Sequence, residues 1–188
     1  MKINVVGISG SGKSTFAKKI ADKICHPYIE LDSIYWGSDW KPNPNFLIDL
    51  DSSLSTNSSY VLDGNYASSD YLKWKDIDLV IWLDYSFSLS FYRCLTRTIK
   101  RLVSKETLWG TNKENISNIL GKNSILYFMV THYHKNKKKF ENDMEIHSNI
   151  KFIRFKTPKE AEAFLQTIRL KIMAKDFKLN DVFDLIGE

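Results

Sequence analysis

The chain has 188 residues, 43% hydrophobic and 26% charged, a composition that suits an ordinary globular protein able to bury one core and argues for a single domain over 1–188. No apolar run approaches the length of a membrane span and no secretory leader is visible, so the expectation is a cytoplasmic protein without a membrane partner. The net charge of +5 hides an asymmetry: residues 1–90 carry 8 Lys against 11 acids, residues 91–188 carry 19 basic against 11 acidic groups, and every Arg lies in the second half. Such a basic half suits nucleic acid, and equally suits a protein that clamps two phosphorylated ligands.

A first strand over about 2–6 runs into residues 7–14, which read GISGSGKS. Gly at 7 and 12, Lys at 13 and Ser at 14, after a strand and before a helical stretch, is the spacing of a triphosphate-binding loop. Gly7, Gly10 and Gly12 let successive N–H groups turn inward toward phosphate oxygens, with the positive end of the following helix behind them. Ser9, Ser11 and Thr15 belong to the same cradle, Thr15 as a spare hydroxyl. Lys13 reaches the β- and γ-phosphates of ATP, and the Ser14 hydroxyl is placed to ligate Mg²⁺.

Phe16, Ile20 and Ile24 then recur at i+4 steps, on one face of a helix that Pro27 ends. A second strand over 28–31 delivers Asp32 at its C-terminal end. After a loop with Trp36, Trp40, Pro42 and Pro44, the spacing of Phe46, Leu47, Leu50 and Leu54 predicts another helix. A third strand over 60–63 ends in Asp63-Gly64-Asn65-Tyr66, and a fourth, fully buried, covers 79–84. A long helix from near Ser88 to Val103 carries Arg93, Arg97 and Arg101 on one face. A polar loop follows through about Ser117, then a helix that includes Ile125, Phe128 and Met129, and a fifth strand over 151–155. Thr157, Pro158 and Glu160 make a helix start, as N-cap, first helical residue and capping-box acid. At the end, Leu179, Val182, Phe183 and Ile186 have the spacing of an added amphipathic helix that covers the core or a partner subunit.

Strands alternating with helices, with a phosphate loop after the first, give a doubly wound α/β fold whose ligands gather at the C-terminal ends of the strands. Asp32 and Asp63 both fall at that edge. A hydroxyl acceptor must lose a proton as it is phosphorylated, so Asp32 as general base favours an alcohol over a mononucleotide; the alternatives are that it caps the following turn or assists Mg²⁺. Tyr35, Trp36 and Trp40 either stack on a base or sugar ring of the acceptor or pack the insertion onto the core, and Asn65 and Tyr66 face the same cavity. Arg93 and Arg97 either neutralise the moving phosphoryl group or belong to a solvated face. The lysines in residues 134–139 touch DNA, acceptor phosphate or only water. Cys25 and Cys94 read as reduced thiols, and His132 and His134 lack the partners of a metal site.

Taken together, GISGSGKS, the LDSIYW segment at 31–36 with Trp40 after it, VLDGNY at 61–66 and LVIWLDY at 79–85 resemble one family over about residues 1–168. It is the adenylate-kinase-related P-loop proteins known as DNA topology modulation proteins. LDSIYW and DGNY are the specific parts, since many families share the phosphate loop. The resemblance implies a three-layer, P-loop nucleoside-kinase-like fold with a five-stranded parallel sheet in the order 2-3-1-4-5. It also implies an acceptor-binding insertion at about 32–59, a short lid at about 104–117, and Asp63 as the acid that helps hold Mg²⁺ through water. The helical extension at about 170–188 has no family counterpart. Lys73 stands where the family is expected to carry an Arg, which would forgo bidentate phosphate recognition.

The leading expectation is therefore an ATP·Mg²⁺-dependent kinase acting on a small acceptor, of which a nucleoside-like molecule is one candidate. The competing one is an ATP-dependent, DNA-associated regulatory protein. Against DNA stand the modest net charge and the lack of a helix-turn-helix or zinc signature in the sequence.

Overall fold

β4 (Leu79–Leu83) divides its side chains between two apolar clusters, Leu79, Ile81 and Leu83 entering one and Val80 and Trp82 the other, all of them buried. A strand that is apolar on both faces needs a cover on each. The computed structural model describes residues 1–115, 121 and 124–173, those at 171–173 by backbone alone.

Around β4 lie β1 (Lys2–Gly7), β2 (Tyr28–Glu30), β3 (Tyr60–Asp63) and β7 (Lys151–Phe155), every neighbouring pair parallel, in the order β2-β3-β1-β4-β7. This is the expected arrangement, with one unforeseen hairpin, β5 (Thr107–Leu108) and β6 (Asn112–Lys113), placed before the last strand. On one face, α1 (Lys13–Ile24) and α7 (Pro158–Met173) lay Phe16, Ile20, Phe164, Leu165 and Ile168 over Ile3, Val5 and Ile81. On the other, α3 (Phe46–Ser55) and α6 (Ile125–Ile146) lay Phe46, Leu50, Leu54 and Phe140 over Val6, Leu62, Val80 and Trp82. Each of these large side chains contributes roughly 2 kcal/mol by leaving water, so the two layers dominate the stability of the sheet.

The short helices α2 (Leu31–Tyr35) and α4 (Asp70–Lys73) and the long α5 (Phe87–Ser104) complete the set. α5 and α6 meet through a third cluster of Cys94, Met129 and Ile8. The helix starts follow local chemistry: Ser86 caps α5 and Ser124 caps α6, each accepting from an N–H three residues on. At α7, Thr157 Oγ1 accepts from Glu160 N at 3.2 Å, while Glu160 reaches back to the N–H of Lys156 at 2.8 Å, one residue before the expected capping-box partner.

Some expectations need correction. The second strand ends at Glu30 and not at 31, where α2 begins, so Asp32 sits in a helical first turn one residue beyond the strand end. The polar loop after α5 holds the β5/β6 hairpin, turned by Trp109 and Gly110 at positive φ. α6 continues through the lysine cluster to Ile146. The expected helix around Leu179, Val182, Phe183 and Ile186 lies outside the described residues, as does the end of the lid at 116–117.

Candidate active site

The loop from Gly7 to Ser14 joins β1 to α1, and its shape follows from its glycines. Gly10 and Gly12 have φ of 79° and 88°, in the left-handed region where a side chain is strained. A Cβ on Gly10 would also collide with the Ser90 carbonyl oxygen, because the loop is seated against α5. Gly12 is the N-cap of α1 and brings no side-chain cap, so the first N–H groups of α1 keep their hydrogen-bonding capacity for a ligand. Residues 10–15 line a cleft of about 400 Å³, which Tyr85, Arg93 and Arg97 bound on one side and Pro158, Ala161 and Leu165 on another.

Two of the three arginines on α5 face this cleft, not bulk water. Arg97 Nη2 donates to Ser9 Oγ at 2.9 Å, and its buried Nε has no partner among the described residues. The Arg93 guanidinium lies over the Tyr85 ring at 5.8 Å, and burial pushes Tyr85 up to about 12 with Arg93 opposing. Arg101 sits 3.7 Å from Glu106, and burial, reinforced by Arg97, lowers its pKa. Ser11, within the loop, is buried, and its hydroxyl has no partner among the described residues.

Across the loop stands a set of carboxylates. Asp63 ends β3, is 2% exposed, accepts from the Tyr28 hydroxyl at 3.0 Å through Oδ2, and keeps Oδ1 buried without a partner among the described residues. Burial raises its pKa, and Lys13 and the Ser14 hydroxyl oppose the rise. A buried, unpartnered carboxylate oxygen beside a hydroxyl and an ammonium is a donor set that suits a hard cation such as Mg²⁺. Glu30, the partner of Asp63 in the β2–β3 register, joins this set of carboxylates and was missed in the sequence. Burial raises its pKa as well, and a hydrogen bond from Trp109 holds it down. Its position at the end of a strand two residues before Asp32 was the available signal.

Asp32 Oδ1 accepts from the Tyr66 hydroxyl at 2.7 Å. Tyr66 in turn stacks on Tyr35, with ring centroids 4.2 Å apart, and both contact Phe46. Trp36 adds a hydrogen bond to Tyr66, whose hydroxyl is pushed far up by burial and then by Asp32. Trp36, Trp40 and Trp109 form a chain of edge-on contacts at 5.6 and 5.8 Å. The hairpin is thereby docked on the 32–59 insertion: Asn112 accepts from Trp40 N at 2.7 Å and donates to Gly37 O at 2.9 Å. Asn65, directly after Gly64, is half-buried.

Lys73 has a different place from the one the resemblance implied. Its ammonium is buried, 2.7 Å from Asp70 and 3.1 Å from the Tyr66 carbonyl, and so braces the segment that holds Tyr66. The lysines on α6 also divide. Lys137 pairs with Asp84 at 3.2 Å and Lys139 with Asp70 and Asp143 at 2.8 and 2.6 Å, whereas Lys135 and Lys138 are exposed. His132 stacks on Phe128 with ring centroids 4.3 Å apart.

With this geometry in view, a solved shikimate kinase from Bacteroides thetaiotaomicron is similar over 93% of this chain and 98% of its own, at 14% identity and a TM-score of 0.53. The two chains share a fold. A gluconokinase from Sinorhizobium meliloti 1021 aligns at 17% identity over 94% of this chain and 97% of its own, with a TM-score of 0.48. A deoxyadenosine kinase from M. mycoides aligns at 15% identity over 93% and 98%, also with a TM-score of 0.48. No family model matches the sequence and no curated protein matches it, so the resemblance to the DNA topology modulation proteins rests on the sequence motifs alone.

Proposed function

We propose that this chain is an ATP-dependent phosphotransferase that phosphorylates a hydroxyl of a small acceptor. The observation that carries the reading is a cleft lined by the phosphate loop and two inward arginines, with Asp63, at the end of β3, and Asp32, just past the end of β2, next to that cleft but outside its lining. The loop N–H groups and Lys13 bind the triphosphate, while Arg93 and Arg97 neutralise charge as the γ-phosphoryl group moves. Ser14 and Asp63 would hold Mg²⁺, which when bound neutralises the β- and γ-phosphate oxygens. Asp32 takes the proton of the acceptor hydroxyl as its oxygen bonds to the γ-phosphorus, the bond from that phosphorus to the bridging oxygen breaks, and ADP leaves. Tyr66, donating to one oxygen of Asp32, fixes the orientation of that carboxylate. Tyr35, Trp36 and Asn65 shape the acceptor side.

Regulatory action on DNA is a weaker account of the same residues, because two of the four lysines in 134–139 are committed to ion pairs inside the fold. The test is ADP release in the presence and absence of acceptors. Release that depends on an acceptor and collapses in Lys13→Ala supports the kinase reading. Release indifferent to every acceptor, together with tight and steeply salt-dependent binding of duplex DNA, contradicts it.

A further inference from the structure

Asp63 is fixed along its backbone and at one carboxylate oxygen, and open at the other. Asn4, buried in β1, donates from its side-chain amide to the carbonyls of Leu62 and Gly64, each at 3.1 Å, and so grips the chain on both sides of Asp63. The amide oxygen of Asn4 is held in turn by the Trp74 indole N–H at 3.0 Å. The N–H of Gly64 donates to the Val5 carbonyl at 3.2 Å, which ties the end of β3 to the strand that feeds the phosphate loop. On the side chain, Oδ2 accepts from the Tyr28 hydroxyl at 3.0 Å, while Oδ1 is buried with no partner among the described residues.

A buried carboxylate oxygen that no donor meets is destabilising, so its retention asks for a function. The register shows how Tyr28 selects that oxygen. Tyr28 pairs with Val61 and Glu30 with Asp63, and Val61 and Asp63, two apart on a strand, share a face. That face is the one α1 covers, since Val61 lies in the cluster of Phe16, Ala17 and Ile20, against which Tyr28 also packs. Tyr28 thus comes to Asp63 from the N-terminal side of the strands, whereas the loop and Ser14, in the first turn of α1, follow the C-terminal end of β1. A donor bonded to Oδ2 from that side stops the carboxylate from turning and leaves Oδ1 as the free oxygen. Its being a neutral hydroxyl matters as well. An ammonium or guanidinium in the same place would neutralise the carboxylate, and the negative charge would no longer attract a cation.

We infer that Tyr28 is a positioning residue for the cation that accompanies ATP: its hydroxyl fixes the rotation of the Asp63 carboxylate and keeps Oδ1 free for Mg²⁺ or its bound water. This rests on the reading of Asp63 as the acid that helps hold Mg²⁺ and deepens it. Hydrogen bonds that orient a metal-holding group are worth about 10- to 100-fold in metal affinity.

The test is calorimetric titration with ATP, first in chelator and then across a series of Mg²⁺ concentrations, for the unmodified chain, Tyr28→Phe, Asp63→Asn and the double variant. Tyr28→Phe removes the hydroxyl and keeps the ring, and the ligand-free thermal midpoint checks the fold of each. The inference expects Tyr28→Phe to bind ATP in chelator as the unmodified chain does, yet to need about tenfold more Mg²⁺ for half of the Mg²⁺-dependent gain in affinity. In the Asp63→Asn background the same change should add nothing, because the carboxylate through which it acts is gone. A merely structural tyrosine would weaken ATP binding equally with and without Mg²⁺, and in both backgrounds; that result overturns the inference. A response to Mg²⁺ that Tyr28→Phe leaves intact overturns the role of Tyr28 alone. An unmodified chain whose ATP binding ignores Mg²⁺ overturns it together with the cation role of Asp63. None of these readings needs an acceptor, so phosphoryl transfer stands or falls separately, by ADP release.

Discussion

Asp63 carries opposite consequences for stability and for binding. Burial raises its pKa above the unfolded value of about 3.9, so the folded state holds the proton more tightly than the unfolded chain does. The stability this confers is full below that value and is lost as pH rises through the elevated folded one. Asp63→Asn should therefore raise the thermal midpoint at neutral pH and flatten its fall across that window, while Mg²⁺-dependent nucleotide binding is lost; a midpoint that drops, in a scan from pH 3 to 8, would refute the burial argument. Asp32→Asn should cut turnover by roughly 10²–10⁴ while ATP affinity stays, since only the proton acceptor is removed. Unchanged turnover would take Asp32 out of the catalytic step. The phosphate loop was legible in the sequence because Gly7, Gly12, Lys13 and Ser14 form a local pattern. Glu30 and Trp109 were not, because they meet across 79 residues of chain and no short spacing announces such a pair.

Among the elements, α4 has four residues, too few to hold its shape alone, and depends on ions to stay in place. Asp70 lies between Lys73 on its own turn and Lys139 on α6, and Trp74 receives both ammonium groups at 5.8 and 5.2 Å. Burial lowers the pKa of Lys73, with Asp70 opposing. Asp70→Ala leaves that ammonium without its carboxylate and should destabilise the fold by about 3 kcal/mol in chemical denaturation. A loss within error would show that Lys73 sheds its proton instead. The lysine cluster could not be resolved in the sequence, since whether a lysine is solvated or paired depends on Asp70 and Asp84, more than fifty residues away. The hairpin escaped for a different reason: two-residue strands carry no period, and only the turn at Trp109 and Gly110 marks them.

Across the whole molecule, the parallel sheet is what brings distant residues to one edge. β1 delivers the phosphate loop, β2 delivers Glu30 and β3 delivers Asp63, while α5, directly after β4, turns Arg93 and Arg97 back over the loop. The doubly wound alternation was readable because buried strands such as LVIWL alternate with helical periods, whereas the strand order came from the motif resemblance and not from any period. The account depends on this edge binding ATP·Mg²⁺ through the loop. Calorimetric titration of the chain with ATP and Mg²⁺ tests that most directly, with thermal unfolding as a companion, since ligand at one hundred times Kd should stabilise the fold by about 2.7 kcal/mol. The account predicts one saturable site in the unmodified chain and none in Lys13→Ala of equal stability. Binding of equal strength in both, or in neither, would contradict it.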